Sequence, residues 1–161
     1  MTGTTQTLGQ KILTSLNRLS VIPGGKLLFN WLIAWNIPYS ASIGAKIQEL
    51  KPGYARLTLK DRRAVRNHLN SIHAVALTNF GELTSGLALN VSLPAGVRGI
   101  VTNITTDYVK KARGTLTAEC HCEVPVVNGD IDFTVQAIIN DNQGDKIATV
   151  SVVWRLGKIQ P

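Results

Sequence analysis

Residues 71–90 read SIHAVALTNFGELTSGLALN, and this stretch decides the fold. Ile72, Val75, Ala76, Leu77, Phe80, Leu83, Leu87, Ala88 and Leu89 leave almost no polar side on an α-helix. A helix that is apolar all round is a buried helix. Ser71 is a residue type suited to its N-cap. Gly81 and Gly86 weaken a helix interior by propensity, so their expected use is a close backbone approach to a packed sheet. Within the greasy run stands one carboxylate, Glu82, between Phe80-Gly81 and Leu83-Thr84.

The flanks supply what wraps this helix. Downstream, 98–111, 115–124, 132–140 and 146–156 are rich in Val, Ile and Thr, as strands are. They are separated by the turn signals Ala112-Arg113-Gly114, Asn128-Gly129-Asp130 and Asp141-Asn142-Gln143-Gly144. Upstream, Ile43, Ala45 and Ile47 alternate, Lys51-Pro52-Gly53 turns, and Ala55, Leu57 and Leu59 alternate again. This predicts a hairpin over 41–50 and 53–60. Strands of about ten residues reach some 33 Å, and a helix of about 18 spans some 27 Å, so the sheet can wrap the helix. The expected class is α+β, one long central helix against an antiparallel sheet of about six strands.

Before the hairpin, Leu8, Ile12, Leu16 and Leu19 fall at helical spacing. Pro23-Gly24-Gly25 breaks the segment, 26–36 form a second apolar helix, and Pro38 ends it. These helices are expected to cover the sheet or its open end, contact with a membrane surface being the alternative. Phe29, Trp31, Trp35 and Trp154 are expected in the core or an interface.

At 161 residues, 44% hydrophobic and 17% charged, the chain is expected to form one globular domain. No apolar run is long enough to span a membrane, no basic leader precedes an apolar run, and no stable membrane insertion is expected. Cys120 and Cys122 lie two apart on one strand face, poorly placed for a mutual disulfide. They read as reduced thiols of a cytoplasmic protein. No zinc-ligand spacing occurs. The net charge of +7 gathers partly at Arg62, Arg63 and Arg66, and at Lys110, Lys111 and Arg113. No aromatic residues are interleaved with these cations, so nucleic acid is not the expected partner.

Around the helix start stand Asn67, His68 and His73. A helix N-terminus presents free N–H groups and positive potential, which suits a polarised carbonyl oxygen or an anion. Glu82, desolvated by its neighbours, becomes more basic and is a candidate general base or nucleophile.

The run Asn67-His68-Leu69-Asn70-Ser71-Ile72-His73-Ala74, followed by Glu82, resembles the signature of hotdog-fold thioesterases of the phenylacetyl-CoA thioesterase-like type. In that family an Asn precedes a His by six residues, and an acid follows the His by nine. Asn67, His73 and Glu82 keep both spacings. The resemblance covers residues 40–157 and implies a hotdog core there. Residues 1–39 would be an extra helical extension, as in a branch of uncharacterised proteins of the superfamily.

The resemblance implies hydrolysis of an acyl-CoA or acyl-carrier-protein thioester. Amides around His73 and Ala74 would polarise the carbonyl, with Val75 beside them. His73 would orient the substrate, Asn67 would hold water, and Glu82 would act as base or nucleophile. The site would lie between subunits, in a dimer or a dimer of dimers. His68, Arg62, Arg63 and Arg66 would meet the substrate, the arginines through the coenzyme A phosphates. No cofactor is implied, coenzyme A being part of the substrate. Two departures favour an alternative, a non-catalytic acyl-CoA or fatty-acid binder. The family's Gly-Gly after the His is Ala74-Val75. Its later Ser or Thr is matched only by Val101, with Thr102 adjacent. A dehydratase or hydratase would use the same fold, but neither motif is present.

Overall fold

The computed structural model describes residues 7–159; most of the N-terminal run read above for a leader lies outside them. Helices α1 (Leu8–Ser20), α2 (Gly25–Asn36) and α3 (Pro38–Ala41) come first. Strands β1 (Lys46–Lys51) and β2 (Tyr54–Leu59) form the hairpin. A 3-10 turn at Arg63–Val65 leads to the central helix α4 (Ala74–Asn90). Strands β3 (Val97–Tyr108), β4 (Leu116–His121), β5 (Ile131–Asn140) and β6 (Lys146–Lys158) complete the chain. The six strands form one sheet in the order β1-β2-β4-β5-β6-β3, and every neighbouring pair is antiparallel.

The two-residue period of the strands builds the core. Along β5, Val135, Ala137 and Ile139 are buried, while Asp132, Thr134, Gln136 and Ile138 face out. The outer face is mostly polar and carries the Arg155–Asp132 ion pair at 2.8 Å. On the inner face Leu57, Ala118, Val150, Val152 and Leu156 meet Phe80, Leu87, Ala88 and Leu89 of α4. The two helix glycines serve this contact. A Cβ at Gly81 would overlap Val150, and one at Gly86 would sit 3.1 Å from the Trp154 ring.

The helix begins later than its sequence implies. Ser71 is not the N-cap; His73 is. Arg66 and Ile72 form a β-bridge. The Ile72 amide donates to the Ala112 carbonyl at 2.9 Å, and the His73 amide to that of Val65 at 2.8 Å. These bonds hold 72–73 extended and exclude helical geometry before Ala74. Ser71 is buried instead, with its amide and hydroxyl both 3.2 Å from Asn67 Oδ1.

The N-terminal helices cover α4 and the hairpin edge. Thr7 and Gln10 form a capping box at the start of α1. Ile12, Leu13, Leu16 and Leu19 pack on the core. From α2, Phe29 is buried and Asn30 accepts the Ile47 amide at 2.7 Å, pairing a backbone group that edge strand β1 would leave open. Pro38 ends α2 and also opens α3 at its first turn. The aromatic expectation divides. Phe29 and Trp154 are buried, but Trp31 and Trp35 are 58% and 76% exposed.

Candidate functional site

The loop 67–73 is shaped by Asn67. Its Oδ1 accepts the Leu69 amide at 2.9 Å as well as the two Ser71 donors. Its own amide donates to the Ser71 carbonyl at 2.8 Å. Such Asn side-chain bonds define tight turns, and Asn70 takes a left-handed φ of 53° within it. His68 and Leu69 point to solvent.

His73 caps α4 with its ring, Nδ1 accepting the Val75 amide at 3.1 Å. A neutral imidazole that accepts through Nδ1 carries its proton on Nε2. Nε2 is therefore the atom available to a ligand. Two of the tip amides are engaged within the chain, that of His73 on Val65 O and that of Val75 on His73 Nδ1. Neither bond engages the Ala74 amide. The Ala74 carbonyl accepts the Tyr108 hydroxyl at 3.1 Å, and that hydroxyl is 2.9 Å from Thr78 Oγ1. Thr106 joins the same hydroxyl cluster at 2.9 Å.

The helix tip has a cavity on each side. One, of about 240 Å³, is lined by His73, Val75, Ala76, Asn79, Arg66 and Tyr39 among others. The other, of about 250 Å³, is lined by Asn67, Ala74, Leu77, Tyr108, Lys110 and Lys111 among others. Asn67 and His73 thus open on opposite sides of the tip.

Glu82 is set further along α4. Nine residues of helix separate it from His73, about 13 Å along the axis, so a single chain does not join the acid to the tip. Glu82 is half-buried. Burial pushes its carboxyl above the ordinary value of 4.5, and a hydrogen bond with Ser40 partly opposes the shift. Just beyond it, Leu83 and Leu87 line an apolar cavity of about 240 Å³ with Ile33, Ala34, Ile37 and Ile47.

The basic residues divide in the same way. Arg62 donates to the Ser42 carbonyl at 3.0 Å and braces the turn before β1. Arg63 is exposed on the 3-10 turn. Arg66 pairs with Asp61 at 2.6 Å and is the one arginine of the three on the His73 cavity. Lys110 is held by Asp141 at 2.8 Å and Asp145 at 2.7 Å. Val101 packs against the core, and Thr102, at a β-bulge, donates to the Val153 carbonyl at 3.3 Å.

Three residues near these groups escape sequence reasoning. Ser40 belongs to an extension that the motif does not reach. Tyr108 comes to the helix tip only through strand register. Trp154 lies against Gly86, one turn beyond Glu82. Its buried indole N–H has no partner among the described residues. Among those residues no three His, Cys, Asp or Glu side chains gather as a metal site, and no helix is long and apolar enough to cross a membrane. Cys120 and Cys122 are both free thiols.

The central helix and the antiparallel sheet in this strand order define a hotdog fold, to which the N-terminal helices are added, and known structures share it. A family model, Domain of unknown function (DUF4442), matches residues 25–156, and the chain belongs to that family. The match takes in α2 as well as the hotdog core. A structural genomics crystal structure, APC5556, is similar over 92% of this chain and 98% of its own, with 28% identity and a TM-score of 0.77. A protein of unknown function from Pseudomonas aeruginosa, a probable thioesterase, is similar over 86% and 97%, with 22% identity and a TM-score of 0.74. The E. coli PaaI protein, from the phenylacetic acid degradation operon, is similar over 81% and 94%, with 18% identity and a TM-score of 0.63. No curated protein matches the chain.

Proposed function

We propose that this protein hydrolyses acyl-CoA thioesters at a site shared by two copies of the chain. The observation that carries the reading is Glu82, a half-buried carboxylate in an otherwise uncharged helix, made more basic by burial. Similarity to a probable thioesterase supports the reaction class. In this reading Glu82 takes a proton from water while the water oxygen attacks the thioester carbonyl. The developing oxyanion lies at the tip of the partner's α4, where the Ala74 amide and the positive helix end stabilise it. Collapse of the adduct breaks the C–S bond. The proton held by Glu82 passes to the departing thiolate, giving free acid and thiol.

The other residues take matching roles. The Asn67 carbonyl oxygen is saturated by its loop, so its Nδ2 group is the part that holds water. His73 presents its Nε2 proton to the substrate, and Arg66 lies where it can meet a coenzyme A phosphate. The acyl chain occupies the apolar space between subunits. A shared site requires assembly, and the free β3 edge supports it. That edge is twelve residues long and exposes Ile100, Ile104, Tyr108 and, just beyond, Val109. A long edge with apolar side chains invites pairing with another strand.

One observation favours a second reading, an acyl-CoA binder without turnover. Two of the three tip amides are engaged within the chain, which leaves fewer donors for an oxyanion. A panel of acyl-CoA substrates with released thiol as readout separates the two. Turnover that Glu82→Gln removes while acyl-CoA binding survives supports the hydrolase. Binding without release from any substrate supports the binder.

A further inference from the structure

The outer face of α2 has no covering within the chain. Leu27, Leu28, Trp31, Leu32 and Trp35 fall within an arc of about 140°, and all are exposed. Phe29 and Ile33 occupy the opposite, inward side. The apolar surface continues into the preceding turn through Val21 and Ile22, and past α2 to Tyr39, which are likewise exposed. Together these side chains present on the order of several hundred Å² of apolar surface, the size that marks an interaction site rather than scattered surface residues. The Trp31 and Trp35 rings lie 5.8 Å apart and form one aromatic step.

Charge decides what this face fits. The first acidic residue of the chain is Glu49; residues 1–48 contain none. Lys11, Arg18 and Lys26, by contrast, are all exposed on the two helices. Lys11 borders Leu32 and Asn36 of α2 across the groove between α1 and α2. Arg18 stands seven residues on, along the same side of α1. A second copy seated symmetrically on this face would bring like charges together with no acid on either helix to offset them. An anionic bilayer surface offers both complements: headgroups for the cations, and an interfacial zone that favours Trp and Tyr. We infer that the outer face of α2, rimmed by Lys11 and Arg18, seats the protein reversibly on anionic membrane surfaces, with Trp31 and Trp35 in the headgroup region. The inference does not depend on the thioesterase reading.

The test uses the intact protein and two sets of vesicles, phosphatidylcholine alone and phosphatidylcholine containing phosphatidylglycerol. The protein should sediment with the second set at low salt and be released as salt rises. Its tryptophan emission should shift to the blue and be quenched by brominated acyl chains. Trp154, being buried, does not contribute to the change. Trp31→Ser/Trp35→Ser should weaken vesicle binding at least about tenfold while far-ultraviolet circular dichroism is unchanged. Lys11→Gln and Arg18→Gln should each weaken it about fivefold. No sedimentation with phosphatidylglycerol vesicles at low salt, equal binding to phosphatidylcholine alone, or full binding by the double Trp variant would each overturn the inference. A double Trp variant that breaks a larger oligomer, from a parent that ignores vesicles, would assign the face to a second copy instead.

Discussion

Ser40, on the short helix α3, hydrogen-bonds to Glu82 on the central helix. A residue of the N-terminal extension thus reaches the one acid of the central helix. The bond favours the charged carboxylate and opposes the effect of burial. Removing it in Ser40→Ala should raise the Glu82 carboxyl further above its ordinary 4.5. If Glu82 is the general base, the acid limb of the kcat/KM profile for thioester hydrolysis should then move to higher pH. Activity should fall several-fold on that limb and recover on the plateau. Equal loss at every pH would mean that Ser40 acts on shape alone.

Glu82 itself should trade stability for chemistry. Its carboxyl is raised in the folded chain, so the fold prefers the protonated form. The stabilising contribution is complete below the unfolded value and is lost as pH rises through the folded one. Glu82→Gln should therefore be more stable than the parent near pH 7, by chemical denaturation, and the difference should shrink below about pH 4.5. The same variant should lose about 10²- to 10⁴-fold in hydrolysis. A variant less stable at neutral pH would show that the charged acid is well solvated after all.

Much of this was legible in residues 71–90. An all-round apolar helix requires a sheet to bury it, and the period-two strands after residue 97 supply one. Two features were not legible. The start of α4 is fixed by the bonds from Ile72 to Ala112 and from His73 to Val65, contacts between segments far apart in sequence, so local propensity placed the cap at Ser71. Trp31 and Trp35 follow the apolar pattern of α2, but nothing local in sequence tells which side of a wholly apolar helix lacks a neighbour. For the site, the Asn67, His73 and Glu82 spacings were visible, whereas the Ser40 contact depends on how an added helix folds back.

The glycine reading can be tested by volume. A methyl at position 81 overlaps Val150 of β6, and both positions lie in the core. Gly81→Ala gains helix propensity but overfills the layer, and overfilling should win. We expect a net destabilisation of about 1–3 kcal/mol, read from denaturant midpoints. Gly81→Ala combined with Val150→Ala should not restore the parent's stability, because the Val150 Cβ that the new methyl overlaps is still present. A stabilised single variant would mean that helix and sheet can separate at little cost.

His73 has a structural task that must be divided from a catalytic one. Its ring Nδ1 caps α4, so His73→Ala should cost about 1 kcal/mol of stability, as lost caps generally do. His73→Asn keeps a capping acceptor but has no equivalent of the Nε2 proton. It should therefore match the parent in denaturation while still losing thioester turnover. If His73→Asn is fully active, the histidine serves the helix and not the substrate.

The proposed sharing of the site between two chains gives the last prediction. With Glu82 about 13 Å from its own helix tip, one chain cannot place the acid and the amides on one substrate, so activity should require assembly through the free β3 edge. Ile100, 53% exposed on that edge strand, pairs with Arg155 of β6 and shares its outward face. Lysine there should be tolerated by the isolated fold, since charges on edge strands block pairing rather than folding. Ile100→Lys is expected to lower the molecular mass measured by light scattering to that of one chain and to abolish hydrolysis, with the circular dichroism spectrum preserved. Mixing Glu82→Gln with His73→Asn chains should then restore part of the activity, because each mixed pair retains one site with an intact acid and an intact tip. Full activity in a monomeric Ile100→Lys protein, or no recovery in the mixture when both parents assemble, would place the reaction within one chain.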